Sequence, residues 1–154
     1  MKPHVLIAET HLYAPLQEVF EFFSNAAHLN EVTPPELHFK FLTPMPIEMK
    51  VGATIDYLIR LSGIPIRWRT LITEWQPTVR FKDTQVRGPY ALWEHEHYFE
   101  QREGYVYMRD TVHYLSPGWF LEPIIHHLFV KNKVESIFEH RKERFAALFG
   151  EHKA

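Results

Sequence analysis

Apolar and polar residues alternate along most of the chain, with the period of two that places successive side chains of a β-strand on opposite faces. The alternating stretches are rich in β-branched and aromatic residues, and short turn signals such as Ser62-Gly63 and Glu103-Gly104 separate them. Links this short join antiparallel neighbours, because a parallel crossover needs about a dozen residues or more. The pattern predicts a first strand at 4–12 and a later meander of strands at 37–42, 54–61, 66–75, 79–86, 90–100 and 105–114.

Helical spacing replaces this alternation at three places. Residues 16–23 gather their large apolar side chains on one face, as an amphipathic helix requires: Leu16, Val19, Phe20 and Phe23. A second short helix is predicted from residue 24 or 25 to about residue 32, where the TPP sequence at 33–35 ends it. A long helix is predicted at about 120–149, with Pro123 tolerated in its first turn. Its roughly 28 residues would span about 42 Å, so it has to lie across the whole sheet.

These elements predict an α+β domain. A length of 154 residues suits one domain, which we expect to cover residues 1–154. The order of elements favours one curved antiparallel sheet of about seven strands, two short helices and a long C-terminal helix. Because a curved sheet and a straight helix do not touch everywhere, we expect a cavity between them.

Composition narrows the function. Aromatic residues make up 15% of the chain, with 12 Phe, 7 Tyr and 4 Trp, which indicates either a bulky core or an apolar pocket. A net charge of -2 argues against nucleic acid as a partner. The absence of cysteine excludes disulfides, zinc ribbons and thiolate nucleophiles. The first apolar run is only four residues long before Glu9 and no stretch approaches 18, so we expect a cytoplasmic protein without a membrane span.

The sequence WEHEHYFE at 93–100 places two histidines on one face of a predicted strand. The neighbouring strands also have inner faces that mix apolar and polar residues. Strand by strand, these inner sets are Ile55, Tyr57 and Ile59; Trp68, Thr70 and Ile72; Phe81, Asp83 and Gln85; Trp93, His95, His97 and Phe99; and Met108, Asp110, Val112 and Tyr114. A core seldom buries so many polar groups, because each unpaired one costs about 1–3 kcal/mol. The mixture therefore favours a ligand cavity.

Two other interpretations of these faces stay open. Asp110 could pair with one histidine across the hairpin, or the faces could be inverted and the histidines solvated. If the faces are right, the predicted ligand-binding residues are Tyr57, Trp68, Thr70, Phe81, Asp83, Gln85, Trp93, His95, His97, Phe99, Met108, Asp110 and Tyr114.

Three kinds of chemistry can be weighed at the histidines. A metal site would add Asp110 or Glu74 as a third ligand, but cupin-type spacing requires a glutamate four or five positions after the second histidine, where the chain has Gln101 and Arg102. The sequence thus favours no metal, and no cofactor is expected. An acid–base pair in which Asp110 orients His95 or His97 would suit enolisation or dehydration. Nucleophilic catalysis is excluded, since the chain has neither a G-x-S-x-G motif nor a thiol.

Four segments resemble one protein family along nearly the whole chain: APLQEVFEFFSNAAHLNEVTPP at 14–35, GIPIRWRTLITEWQP at 63–77, FKDTQVRGPYALWEHEHYFE at 81–100 and MRDTVHYLSPG at 108–118. They are similar to the bacterial polyketide cyclase/dehydrase-like, or SRPBCC, branch of the START/Bet v 1-like superfamily. The resemblance implies the helix-grip fold and a deep apolar cavity that holds a hydrophobic or aromatic small molecule. It assigns no catalytic residue, because no motif of the cyclase enzymes matches positions here.

The expected function is therefore binding of a hydrophobic or aromatic small molecule, as a carrier or sensor. One alternative is a cyclase or dehydratase that acts on a polyketide-like substrate, with His95, His97 and Asp110 as the catalytic candidates. Another is a protein-interaction module without a ligand, which would show an exposed apolar patch around Trp119 and Phe120. The charged run HRKERF at 140–145 is interpreted as a solvated helix face. The oligomeric state stays open.

Overall fold

A seven-stranded antiparallel sheet forms one layer of the computed structural model, which describes residues 1–150. The strand order is β1-β7-β6-β5-β4-β3-β2. The strands are β1 (His4–Leu12), β2 (Lys40–Phe41), β3 (Thr54–Leu61), β4 (Ile64–Gln76), β5 (Arg80–Arg87), β6 (Leu92–Arg102) and β7 (Tyr105–Leu115). The predicted α+β helix-grip architecture is confirmed. Residues 151–154 of the predicted domain lie outside the described residues.

The predicted strand at 37–42 is wrong over most of its length. Pro35–Leu37 forms a turn of 3₁₀ helix, and His38 has a left-handed backbone with φ of 47°. Two consecutive prolines cannot donate to a sheet, so the chain turns before it pairs. Only Lys40–Phe41 pairs with β3.

The two short helices follow the predicted positions. The first is α1, Leu16–Phe23, with Val19 and Phe20 buried. The second, Ala26–Val32, is a 3₁₀ helix rather than an α-helix, and the side chain of Asn25 caps it by accepting a hydrogen bond from the Ala27 N–H at 3.0 Å. Both helices close one end of the sheet.

The C-terminal helical region begins at a tight turn after β7. Gly118 has φ of 111°, and a Cβ atom there would collide with the side chain of Ile125. The buried carboxylate of Glu122 accepts a hydrogen bond from His4 Nε2 at 2.7 Å and another from the Ser116 N–H at 3.0 Å. These contacts fix the start of the helical region against β1 and the end of β7.

The predicted long helix is interrupted. A 3₁₀ turn at Trp119–Leu121 leads into α2 (Glu122–Ile125), a π-helical segment at His126–Val130 and then α3 (Lys131–Phe149). The inner side of α3 carries four buried residues, Val134, Phe138, Arg141 and Phe145. None of the helices within residues 1–150 combines the length and apolar character that a membrane crossing requires.

Two apolar clusters lie between the sheet and the helices. One includes Phe20, Phe99 and Phe145 and joins α1 to the C-terminal part of α3. The other includes Trp68, Trp93 and Phe138 and joins the middle of the sheet to the N-terminal part of α3. The candidate site lies where these two clusters meet.

Candidate ligand-binding site

A cavity of about 170 Å³ lies between the inner face of the sheet and α3. Residues of β3, β4, β5, β6, α3 and the segment before β2 line it, and most of them are apolar. A dry apolar cavity of about 150 Å³ is known to hold a benzene ring, so this space suits a small aromatic molecule.

Eight of the predicted site residues lie in the cavity wall, namely Tyr57, Trp68, Thr70, Phe81, Asp83, Trp93, His95 and His97. They come from four neighbouring strands. On β6 the burial alternates as expected, with Trp93, His95, His97 and Phe99 buried and their neighbours partly exposed. The inner faces were therefore predicted correctly, although ligand binding by these residues stays a prediction.

The other five predicted residues lie away from the cavity. Phe99 and Met108 pack in the core cluster beneath α1. Tyr114 contacts His126 Nε2 through its hydroxyl at 2.8 Å, and the Gln85 amide binds the backbone of Tyr90. Asp110 is buried one strand further on and reaches the site through the histidines. The alternation identifies a strand's inner face, but the helices determine which part of that face remains uncovered.

Two aspartates and two histidines form the histidine cluster, which consists of Asp83 on β5, His95 and His97 on β6, and Asp110 on β7. His95 Nε2 lies 2.7 Å from Asp110 Oδ1, and His97 Nε2 lies 2.6 Å from Asp83 Oδ2. Both bonds run diagonally across the sheet, since Asp83 is directly opposite His95 and Asp110 is directly opposite His97. The two imidazole rings stack with centroids 3.7 Å apart.

Both carboxylates of the histidine cluster are held ionised. Burial alone would raise the pKa of Asp110, but its contacts with His95 and His97 lower the pKa far below the usual range. Burial acts in the same way on Asp83, whose pKa is lowered by the hydrogen bond from His97 and the positive charges nearby. Because an ionised carboxylate only accepts hydrogen bonds, the facing imidazole nitrogens must donate them.

The pKa values of the two histidines are shifted in opposite directions. Burial and the neighbouring His97 lower the pKa of His95, although Asp110 opposes this shift. Burial would also lower the pKa of His97, but the carboxylates of Asp110 and Asp83 together raise it above the ordinary value. His97 has a carboxylate at each nitrogen, with Nδ1 3.4 Å from Asp110 Oδ1. The surroundings thus favour the protonated form of His97 and the neutral form of His95, in which one ring nitrogen is unprotonated.

That unprotonated nitrogen is Nδ1 of His95, because the Nε2–H donates to Asp110. It lies 4.0 Å from Asp83 Oδ2, too far for a hydrogen bond. A ring oriented by a carboxylate behind it can accept a hydrogen bond or a proton from a ligand.

Arg141 of α3 is a wall residue that the sequence analysis missed. It was assigned to a solvated helix face, but only 8% of its surface is exposed and it lines the cavity. The spacing of Val134, Phe138, Arg141 and Phe145 contains the missing signal, since residues three or four apart share a helix face. Its guanidinium lies over the rings of Phe138 and Phe145, at 5.5 and 5.2 Å from their centroids.

Asp83, His95 and His97 could also hold a metal ion, since one ligand atom from each lies within 4.8 Å of the others. The third ligand of this set is Asp83, whereas the sequence analysis considered Asp110 or Glu74. Glu74 instead pairs with Arg80 and Lys82 at the surface. A metal would have to displace the proton between Asp83 and His97, and it would lie near the positive charge of Arg141. The charge distribution favours hydrogen bonding over metal binding.

An exposed apolar surface covers the start of the C-terminal helical region and consists of Trp119, Phe120, Ile124, Leu128 and Phe129. Trp119 is 83% exposed and Phe120 is 72% exposed. The interaction-module alternative depends on such a surface, and that function stays a prediction.

The fold is that of the Bet v 1-like helix-grip proteins, so the START/Bet v 1-like resemblance is confirmed at the level of the fold. Protein CV1439 from Chromobacterium violaceum superposes with a TM-score of 0.73 and 16% identity, over 97% of this chain and 100% of that chain. The major latex-like protein 151 from Panax ginseng gives a TM-score of 0.69 and 11% identity, over 97% and 99%.

Norcoclaurine synthase from Thalictrum flavum has the same fold, with a TM-score of 0.63 and 12% identity over 92% of this chain and 85% of that chain. No protein-family model and no curated protein sequence matches the chain. At identities this low the likeness defines the fold, and the site has to define the function.

Proposed function

We propose that this protein is a carrier or sensor that binds a hydrophobic or aromatic small molecule in the cavity between the sheet and α3. The observation that carries the proposal is a mostly apolar cavity with Asp83, His95 and His97 on its sheet wall and Arg141 on the facing helix. Binding sites for small molecules typically combine a mostly apolar wall with a few convergent polar groups. The fold it shares with Bet v 1-like proteins supports a ligand-binding role.

The apolar wall would supply most of the affinity. Burial of apolar surface is worth about 25 cal/mol per Å² before the loss of translational freedom is subtracted. The rings of Trp68, Trp93 and Phe138 offer flat surfaces for an aromatic ligand. The polar groups would orient that ligand and select molecules with oxygen atoms at one end.

A cytoplasmic location is part of the same proposal, because a chain without cysteine needs no oxidising compartment. So is membership of the polyketide cyclase/dehydrase-like branch. The resemblance of 81–100 and 108–118 to that branch supports it, and these segments contain the whole histidine cluster.

Native mass spectrometry of the protein after incubation with an extract of its source cells tests this function. We expect a retained small molecule that organic solvent releases. In Ile137→Trp, a larger side chain would fill part of the cavity, and the retained mass should be lost. Ile124→Trp is the matched control, because Ile124 lies on the exposed apolar surface. Retention of the same molecule by Ile137→Trp would contradict binding in this cavity.

Enzymatic turnover is a second candidate, which the His95–Asp110 pair favours. His95 Nδ1 is an unprotonated base, and the carboxylate behind the ring would stabilise the imidazolium formed on proton abstraction. The name of norcoclaurine synthase shows that this fold hosts at least one enzyme. A cyclase or dehydratase would remove a proton next to a carbonyl group of its substrate with this nitrogen.

Hydrogen–deuterium exchange of a bound ketone tests the base directly. With 1-tetralone in D₂O, we expect the protein to accelerate exchange of the protons next to the carbonyl, as followed by proton NMR. His95→Gln keeps the ring's approximate size and should remove the acceleration while binding persists. If 1-tetralone binds and its exchange is no faster than in buffer, the base role is excluded for this carbonyl class.

A further inference from the structure

The guanidinium of Arg141 is buried without a hydrogen-bonding partner, although its charge lies near enough to Asp83 and Asp110 to lower the pKa of both carboxyls. Among residues 1–150 it makes no hydrogen bond and no ion pair, and its Nε atom is fully enclosed. Arginine remains charged at every relevant pH, and a buried charge is normally paired. The two aromatic rings beneath it satisfy the face of the guanidinium but none of its N–H groups.

The donors of Arg141 share the cavity with the histidine cluster. Arg141 comes from α3, on the opposite wall from Asp83, His95 and His97 on the sheet, and all four line the same space. The rest of the wall is mostly apolar, and its other polar side chains are Asn25, His28, Thr33, Tyr57, Thr70 and Tyr90. A ligand atom that accepts hydrogen bonds from Arg141 would satisfy its enclosed Nε–H, which has no acceptor among residues 1–150.

We propose that the ligand of this cavity is an aromatic carboxylic acid whose carboxylate binds Arg141 while its rings contact the wall that contains Trp68, Trp93 and Phe138. The planar guanidinium presents parallel N–H groups that match the two oxygens of a carboxylate. This inference rests on the proposed function and adds the chemical class of the ligand.

Charge balance gives the inference a second consequence. With Asp83, Asp110 and Arg141 charged, protonation of His97 alone leaves the cavity without ligand neutral, and this is the state that the pKa shifts of the two histidines favour. A ligand carboxylate adds one negative charge in a buried place. His95 is the one neutral histidine of the cluster, and we expect it to take up a proton when the acid binds.

The phenols in the wall do not change this balance. Tyr57 of β3 and Tyr90 before β6 are the phenols that face the cavity, and burial raises the pKa of both. They stay neutral hydroxyls at ordinary pH. His28, in the 3₁₀ helix, lies at the cavity edge, where its ring contacts the carboxylate of Glu31 at 3.0 Å.

Calorimetric titration with two matched compounds separates the ligand class from binding itself. The compounds are 2-naphthoic acid and 2-naphthalenemethanol, which share their rings and differ in the carboxylate. We expect the wild-type protein to bind the acid about tenfold or more tightly than the alcohol, and Arg141→Met to lose this preference by weakening acid binding much more than alcohol binding. Arg144→Met is the control, since Arg144 lies on the same helix and contacts the Glu31 backbone outside the cavity.

Each outcome has a distinct meaning. Alcohol binding without a preference for the acid, or a preference that survives Arg141→Met, overturns the inference and leaves the proposed function standing. No binding of either compound at millimolar concentration overturns both. Arg141→Lys retains the positive charge but lacks the parallel N–H groups of the guanidinium, so its preference for the acid over the alcohol should be intermediate. This variant tests the inference if Arg141→Met does not fold.

Titration in two buffers of different ionisation enthalpy counts protons. We expect uptake of about one proton when 2-naphthoic acid binds at pH 7 and none when the alcohol binds. Uptake should disappear in His95→Gln. A carboxylate preference with no proton uptake would refute the assignment of His95 as the proton acceptor.

Discussion

Asp110→Asn tests whether the histidine cluster is an electrostatic unit. Asp110 is 1% exposed, accepts a hydrogen bond from His95 Nε2 at 2.7 Å and lies 3.4 Å from His97 Nδ1. The change preserves size, so it opens no cavity, and an amide oxygen can still accept the His95 bond. A bond to a charged acceptor is worth about 1.5–3 kcal/mol, and loss of the proton from His97 limits any further cost. We expect a loss of about 2–3 kcal/mol in the free energy of unfolding at pH 7.

Urea unfolding followed by circular dichroism measures this loss, which should lower the midpoint by roughly 1 M or more. Histidine NMR signals report the second effect, a lower pKa for His97 after one of its two carboxylates is removed. Asp56→Asn is the control, because Asp56 pairs with Arg69 at the surface and solvent screens that pair. A loss below about 0.5 kcal/mol, or an unchanged pKa of His97, would refute the electrostatic account.

The pH dependence of this difference has a defined sign. The lowered pKa of Asp110 contributes stability that is present above the ordinary value of 3.8 and is lost as the pH falls through the folded-state pKa. The raised pKa of His97 contributes stability that is present below 6.5 and is lost as the pH rises through its folded-state pKa. Asp110→Asn weakens both contributions. The gap between wild type and variant should therefore be widest in mildly acidic solution and narrow towards alkaline pH.

Three further changes test the C-terminal helical region. Gly118→Ala should destabilise the protein by more than about 1 kcal/mol, because φ is positive and the new Cβ collides with Ile125, whereas Gly63→Ala has open space and should cost less. Glu122→Gln weakens two buried hydrogen bonds and should cost about 1–3 kcal/mol at pH 7. Since the pKa of Glu122 is lowered, this loss should shrink as the pH falls below 4.5. Thermal unfolding checks both, and equal losses for the two glycine variants would exclude the collision. If the exposed apolar surface mediates self-association, Trp119→Ser should reduce that association in analytical ultracentrifugation. A wild-type protein that associates and a variant that sediments in the same way would contradict this role.

The sheet could be predicted because its signals are local. Period-two alternation and short turns identified six of the seven strands within about two residues, and only β2 was misplaced. The prolines before β2 break the pattern that its apolar residues suggest. The π-helical segment within the C-terminal helices was also missed, because an extra residue per turn leaves no distinct mark in the composition.

The residues of the histidine cluster could be predicted, and so could a pairing of Asp110 with one histidine across the hairpin, which His95 makes. Which histidine pairs with which aspartate was not predicted, because alternation places His95 and His97 on the same inner face of β6 and does not distinguish them. The register of three strands places each carboxylate diagonally beside its histidine. It also shifts the pKa values of the two rings in opposite directions.

The sequence by itself determined the fold class, the inner faces of the strands and the presence of polar groups among aromatic ones, because side-chain alternation and turn residues act over a few positions. The tertiary structure decided which inner residues remain uncovered, since only the packing of α1 and α3 shows that Phe99 and Met108 lie in the core. It also decided that Arg141 faces the cavity, because the phase of a helix becomes a direction only when the helix packs on its sheet.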